Sequence, residues 1–161
     1  MRARNRVLLV LVVSTLLAGL VGMRPATGQT VLHLALPADT QKSRFIDQYE
    51  DGLRLGDRAA ARGPLIDEDG MKVGTAYGDC MVDRHIKGPE TGLWTCTYVL
   101  DLGNGDLIVK GLDPRGPGSY EMAVLGGTGA YANASGDATF TDTVDNGAEV
   151  EETDMVIRLD N

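Results

Sequence analysis

Residues 93–111 read LWTCTYVLDLGNGDLIVKG, and this stretch decides the fold class. Apolar and polar side chains alternate along Leu93–Leu102, and a period of two predicts a half-buried β-strand. Gly103-Asn104-Gly105 then predicts a tight hairpin turn, because Asn and Gly tolerate the positive φ angles of primed turns. Asp106–Gly111 is predicted to pair back on the first strand, so the stretch predicts an antiparallel hairpin.

Similar short runs occupy most of the remaining chain. Residues 37–56 give no clear pattern, and Ser43–Tyr49 fits either a loop or one helical turn. Asp145-Asn146-Gly147 is a second hairpin signal. No ten-residue helical pattern separates the strands, which excludes parallel βαβ units and leaves an antiparallel barrel or a sandwich of about eight strands. The further strands are predicted at Val31–Leu36, Arg58–Ile66, Lys72–Asp83, Tyr120–Leu125, Ser135–Val144 and Ala148–Leu159.

The N-terminal segment, residues 1–28, is predicted to be a signal peptide. Arginines precede an uncharged apolar run, Val7–Gly22, which is shorter than the roughly 20 residues of a membrane span. Ala26-Thr27-Gly28 supplies small residues for cleavage before Gln29. The alternative is an uncleaved N-terminal anchor. We therefore expect a secreted, extracytoplasmic protein with one domain: 29–56 would hold the first strand and an irregular connection, and 57–161 the rest of the barrel.

The mature chain is acidic. Residues 1–28 carry four arginines and no acid, so their removal leaves 11 basic residues against 23 acidic ones, a net charge of −12. Such a surface repels phosphate backbones, and nucleic-acid binding is disfavoured.

The two cysteines, Cys80 and Cys96, are predicted to form a disulfide, because an even pair in an exported chain is usually bonded. Two buried free thiols are the alternative. By strand alternation Cys80 shares a face with Gly74, Ala76 and Gly78, and Cys96 shares one with Trp94, Tyr98 and Leu100. A bridge would turn both faces inward, which fits either a packed core or a pocket walled by Trp94 and Tyr98.

Nucleophilic and metal chemistry have little support in this sequence. No nucleophile-elbow motif surrounds a serine, and His33 and His85 lie in no ligand-spaced cluster. Asp113 and Glu121 remain as candidate acids, because a carboxyl group in an apolar barrel has a raised pKa and can act as a general acid or base. Arg62 is a candidate partner for one of them. The alternative for each is a solvated surface charge.

The order of motifs resembles the allene oxide cyclase-like and dirigent-like barrel superfamily over roughly residues 55–159. The most specific part is Glu121–Gly136, which is similar to the dirigent pattern of Glu-Met, a strand, Gly-Gly-Thr-Gly, an aromatic residue, then Ala and Gly. Gly111-Leu112-Asp113-Pro114 resembles the dirigent Gly-x-x-Pro segment. The other matching motifs are Val73-Gly74, Cys80–Val82, Trp94–Tyr98 and Leu107–Gly111.

This resemblance implies an eight-stranded, calycin-like antiparallel β-barrel with a hydrophobic cavity and no metal or cofactor. Family members are often oligomeric, which leaves a homo-oligomer open here. They steer reactive intermediates into one cyclised or coupled stereoisomer, and related bacterial barrels catalyse [4+2] cycloadditions. The chain departs from the plant cyclases on the first strand, where His33 stands in place of a catalytic Glu, and near Asp113, where they carry a Tyr.

Two functions are therefore expected. One is a cofactor-independent isomerase or cyclase, or a stereo-directing protein, that acts on a hydrophobic intermediate through Asp113, with Arg62 or Glu121. The other is a non-catalytic barrel that binds a small hydrophobic ligand. A plain structural or interaction domain is left as a third alternative. The predicted ligand-binding residues are Trp94, Tyr98, Met122 and Val124.

Overall fold

A computed structural model describes residues 29–47, 54–85, 92–145 and 149–160. Nine β-strands account for most of these residues, joined by turns and two short 3-10 segments, Ala38–Thr40 and Gly129–Tyr131. The strands are β1 Thr30–Pro37, β2 Lys42–Ile46, β3 Arg58–Ile66, β4 Lys72–His85, β5 Gly92–Asp101, β6 Asp106–Asp113, β7 Gly118–Gly127, β8 Ser135–Asp145 and β9 Glu149–Asp160. The predicted signal peptide lies outside the described residues, as do Asn146 and Gly147 of the second predicted hairpin turn.

The sheet is a closed, eight-stranded antiparallel barrel with one extra strand. From β3 to β9 each strand pairs with its sequence neighbour, and β1 pairs with β9 over its whole length. The barrel closes where Ala35 of β1 meets Ile66 of β3. The predicted all-β barrel is therefore confirmed, and the sandwich alternative is wrong.

The extra strand, β2, corrects the prediction for residues 43–46, whereas Gln48 and Tyr49 lie outside the described residues. Lys42–Ile46 is a strand, neither a loop nor a helical turn, and it pairs with the first half of β3. All five residues are exposed, so they lack the alternation of buried and exposed positions on which the strand prediction relied. The pairing of β1 with β9 ends at Pro37, and β2 then pairs with β3. The barrel wall is therefore open at this end.

The 93–111 hairpin has the predicted form. β5 pairs with β6 from Trp94–Asp113 to Asp101–Asp106. Gly103 and Gly105 in the turn have φ angles of 78° and 155°. A side chain at Gly105 would collide with the Thr128 carbonyl oxygen, so glycine is required where the Gly-rich segment after β7 packs on this turn.

The barrel interior is packed with side chains in one half only. Inward-facing apolar residues fill the half away from β2, and they include Leu65, Leu100, Leu107, Val109 and Ile157, all fully buried. The half beside β2 holds a cavity. Within the described ranges, no helix is long and apolar enough to span a bilayer.

The cysteines form the predicted disulfide. Cys80 on β4 and Cys96 on β5 are direct register partners, both buried, so the bond links two neighbouring strands with their side chains inside the barrel.

The double substitution Cys80→Ala/Cys96→Ala should lower the free energy of unfolding. The bond closes a loop with a sequence separation of 16, and the chain-entropy model gives about 3 kcal/mol for such a loop. Urea denaturation followed by tryptophan fluorescence measures this loss. A reducing agent should destabilise the wild-type protein and leave the double variant unchanged. Equal urea midpoints with and without reductant in the wild type would show that the bridge contributes no stability.

Candidate active site

A cavity of about 560 Å³ lies in the half of the barrel beside β2. Its opening lies where β1 parts from β9, and residues of β2, β3 and the start of β9 border it. Rings form much of its wall, and the aromatic lining residues are Phe45, Trp94, Tyr98, Tyr120 and Phe140. A cavity of this size can enclose a small ligand of mainly apolar surface.

The aromatic wall is a set of rings in mutual contact. Phe140 stacks on Tyr120 with ring centroids 5.7 Å apart and lies 5.2 Å from Tyr98. Phe45 meets Trp94 edge-on at 6.3 Å. Tyr98 can lie flat inside the barrel because Gly78 faces it, and a Cβ at Gly78 would approach the Tyr98 ring to 2.8 Å. The predicted pairing of small residues on β4 with aromatic residues on β5 is therefore present.

Asp113 is the central polar residue of the cavity. It ends β6 opposite Trp94, and only 3 % of its surface is exposed. Its Oδ1 accepts a 2.7 Å hydrogen bond from the Arg115 backbone N–H, and its Oδ2 lies 3.7 Å from Cys96 Sγ. Burial raises the pKa of the Asp113 carboxyl, and the Arg115 hydrogen bond and charge only partly oppose this.

Asp142 is a second buried carboxyl at the same cavity, 8 % exposed. Thr153 Oγ1 donates a 2.7 Å hydrogen bond to its Oδ1, and the Tyr120 hydroxyl also hydrogen-bonds to it. Burial is again the main reason that the pKa of Asp142 is raised, and the neighbouring Asp113 charge raises it further. The Asp113 charge therefore adds to burial in favouring the protonated form of Asp142.

The tyrosine hydroxyls of the cavity remain proton donors. Burial raises the pKa of both Tyr98 and Tyr120 well above the usual value, so neither ionises near neutral pH. The Tyr98 hydroxyl is 3.9 Å from Cys80 Sγ and also hydrogen-bonds to Tyr120. Among the described residues, no buried side-chain nitrogen or oxygen lacks a hydrogen-bond partner, which holds this polar network in one arrangement.

Arg115 lies at the cavity opening. It has a left-handed backbone, with a φ of 53°, and its guanidinium carbon lies 4.4 Å from the centre of the Trp94 ring. Its Nε is 3.9 Å from Asp113 Oδ2. The Trp94 face and the Asp113 carboxyl therefore position a cation over the entrance.

The structure separates the predicted site residues. Trp94, Tyr98 and Asp113 line the cavity together. Arg62 borders the cavity, but it is exposed and lies on the outer face of β3 by alternation with buried Gly63. Glu121 lies outside the barrel, exposed on β7, where it accepts a hydrogen bond from Thr139.

Met122 and Val124 face inward on β7 and are buried in the packed core. They are not among the cavity-lining residues. Tyr120, on the same face of the same strand, does line the cavity, nearer the start of the strand.

Sequence reasoning missed Asp142, Tyr120, Phe140 and Arg115. The first three could have been found by extending strand alternation, because Asp142 follows Phe140 by two on β8 and Tyr120 precedes Met122 by two on β7. Arg115 gave no such signal. It lies in the Pro- and Gly-rich loop after Asp113, where no periodicity applies.

One cluster has the composition of a metal site. Cys80, Cys96 and Asp113 place ligand-type atoms within 4.8 Å of one another. The two sulfurs are bonded to each other, so they offer no thiolates, and thiolate is the form in which cysteine binds metals. The cluster is better described as a disulfide with a buried carboxyl packed on it.

Comparison with known proteins gives relatives by structure alone. No family model and no curated protein matches the sequence. A pyocyanin demethylase superposes with a TM-score of 0.65 at 24 % identity, covering 81 % of this chain and 99 % of that one. A pterocarpan synthase dirigent protein gives 0.62 at 21 % identity, covering 81 % and 83 %. The Diels-Alderase AbmU from Streptomyces koyangensis gives 0.63 at 14 % identity; the match covers 83 % of this chain and 64 % of that longer one.

The chain therefore has the barrel fold of dirigent proteins and Diels-Alderases, as the resemblance of its motifs implied. At these identities the similarity establishes the fold.

The raised pKa values predict how stability depends on pH. Asp113 and Asp142 bind protons more tightly in the folded state than at the ordinary pKa of 3.8. Their contribution to stability is therefore complete below pH 3.8 and is lost as the pH rises through the raised values. Urea denaturation between pH 3.5 and 7 should show wild-type stability falling more steeply than that of Asp142→Asn.

The matched control is Asp154→Asn, which removes an exposed carboxyl from β9. Its stability profile should run parallel to that of the wild type. If the Asp142→Asn profile is also parallel to the wild type, the buried carboxyl does not carry a raised pKa.

Proposed function

We propose that this protein is a cofactor-independent cyclase or stereo-directing barrel that acts on a small, flat, unsaturated molecule. The observation that carries the proposal is a buried carboxyl, Asp113, with a raised pKa inside a cavity walled by aromatic rings. An acid that stays protonated in an apolar site can donate a strong hydrogen bond to a substrate oxygen.

The chemical step needs only the protein's own proton. The Asp113 carboxyl O–H donates to a carbonyl oxygen of the substrate, which draws electron density from the conjugated double bonds. A carbon–carbon bond then forms within the substrate as its π electrons shift, and the oxygen takes the proton. The proton returns to the Asp113 carboxylate when the carbonyl is restored. No atom is gained or lost, so the product is an isomer of the substrate.

The aromatic wall supplies orientation. Trp94, Tyr98, Tyr120 and Phe140 line the cavity, and the packed half of the barrel closes it behind them. Holding the substrate in one near-attack conformation can supply a large share of a barrier reduction, on the order of 7 kcal/mol. Confinement also decides which face of the substrate reacts, and this is the basis for stereocontrol.

A second candidate is a binding barrel without catalysis. It is favoured by the complete hydrogen bonding of the buried polar groups among the described residues, since such a network can simply stabilise a cavity that carries a ligand. The two candidates share the ligand class and differ only in whether Asp113 delivers its proton.

The proposal includes export. Residues 1–28 have the composition of a signal peptide, and the Cys80–Cys96 disulfide fits an oxidising compartment. The mature chain would begin at Gln29, directly before β1, so cleavage would leave the barrel complete.

The first test is native mass spectrometry of the protein purified from its own host. The spectrum should give the mass of a chain beginning at Gln29 with one disulfide, together with a retained small molecule. The same protein, incubated with an organic extract of the host, should convert one component into an isomer of equal mass and different retention time.

The Asp113→Asn variant should slow this conversion about a hundredfold, the lower range for loss of a general acid. Asn keeps an acceptor for the Arg115 N–H, so the loop should hold its shape. The Asp154→Asn control should convert at the wild-type rate. A retained molecule without conversion would establish the binding barrel instead, and no retained or converted molecule would contradict both.

A further inference from the structure

Arginines border the cavity although the chain is acidic. The full sequence has a net charge of −8, yet three arginines, Arg44, Arg62 and Arg115, border the cavity. Among the described residues, the acids that line it are Asp113 and Asp142, both buried inside. Among the described residues that line the cavity, the exposed charged side chains are therefore positive.

Arg44 and Arg62 belong to a group of like charges that lowers the stability of the β2–β3 strand pair. Lys42 and Arg62 are direct register partners on β2 and β3, and like charges in this position destabilise a strand pair. Arg44 is the next outward-facing residue on β2. Within the described part of the chain, Lys42, Arg44 and Arg62 form no ion pair. By contrast, Arg58 pairs with Asp79, and Arg158 pairs with Asp137.

Arg115 is the third arginine that borders the cavity, and its guanidinium is only partly engaged. One face lies on the Trp94 ring. Its Nε is 3.9 Å from Asp113 Oδ2, which is beyond hydrogen-bond distance. The side chain is 43 % exposed. It therefore presents unused N–H donors beside an aromatic surface, the arrangement that suits a planar carboxylate next to a ring.

We infer that the cavity takes a flat, ring-containing carboxylate, with the rings between the aromatic walls and the carboxylate bound by Arg115 at the opening. Lys42, Arg44 and Arg62 supply the surrounding positive field. This inference rests on the proposed function, because it assumes that the cavity holds a ligand, and it adds the charge of that ligand.

The cations also explain how an acidic protein attracts an anion. The overall negative charge of the protein repels such a ligand at long range. Near the opening, however, the local group of positive charges produces a positive potential. Because the field is exposed to solvent, salt should weaken it, whereas the contact between the rings and the cavity wall should persist.

The test compares two fluorescent probes of nearly equal shape, 2-anthracenecarboxylate and its neutral amide, 2-anthracenecarboxamide. Titrated into the wild-type protein at low salt, the carboxylate should bind about tenfold more tightly than the amide. Raising the ionic strength from about 0.01 M to about 1 M shortens the Debye length from about 30 Å to about 3 Å. The carboxylate should lose most of its advantage, while the amide affinity should stay nearly constant.

Arg115→Gln should remove most of the carboxylate preference and leave the amide affinity unchanged. Arg158→Gln, which removes an arginine from the outer face of β9 away from the cavity, is the matched control and should keep the wild-type preference.

Equal affinities for the two probes would overturn the anion inference and leave the proposed cavity function standing. The anion inference also fails, with the cavity function still standing, if Arg115→Gln keeps the wild-type preference. Absence of binding by either probe would overturn the inference and count against the proposed function as well. The comparison on the wild type needs no variant, so a substitution that impairs folding cannot obscure the result.

Discussion

The disulfide between β4 and β5 is the constraint on which the site depends. Cys80 and Cys96 are register partners with both side chains inside the barrel. Side chains alternate along a strand with a period of two, so this one bond fixes the inward face of both strands. Trp94 and Tyr98 then face the interior, and Asp113 does so through its register with Trp94. A slip of one residue would move all three to the surface.

The cavity exists because the barrel wall changes partners at one end. β1 follows β9 only as far as Pro37, and β2 then continues along β3. The opposite half is filled by aliphatic side chains, whereas the half beside the gap holds rings, two carboxyls and two hydroxyls. Buried polar groups cost free energy unless they are hydrogen-bonded, and those of the described residues are. A fold that needed only stability would be served by an apolar core here, so this network is the strongest sign of function.

Strand alternation and turn chemistry predicted most of the fold. Arg58–Ile66 was predicted with the bounds it has, and the 93–111 hairpin within a few residues. β2 was missed because its five residues are all exposed and its place is set by pairing with β3. At the site, Asp113 was singled out because it is a carboxyl group beside a predicted strand near the expected barrel interior. Glu121 was wrongly expected inside the barrel because it was chosen for its acidity alone. Its neighbour Met122 is buried, so strand alternation places Glu121 on the outer face. The raised pKa of Asp142 depends on neighbours from other strands, which only the closed barrel brings together.

The protonation state of Asp113 tests the proposed chemistry most directly. The side-chain carboxyl carbon of Asp113 can be followed by NMR across a pH titration of the isotope-labelled protein, with Asp113→Asn used to assign the signal. We predict a midpoint clearly above 3.8, the ordinary pKa of an aspartate, because burial beside Cys96 and the aromatic wall disfavours the charge. A midpoint at or below 3.8 would mean that Asp113 is ionised in its site. The barrel would then have no protonated carboxyl group at this position to donate a hydrogen bond, and the proposed chemistry would be contradicted.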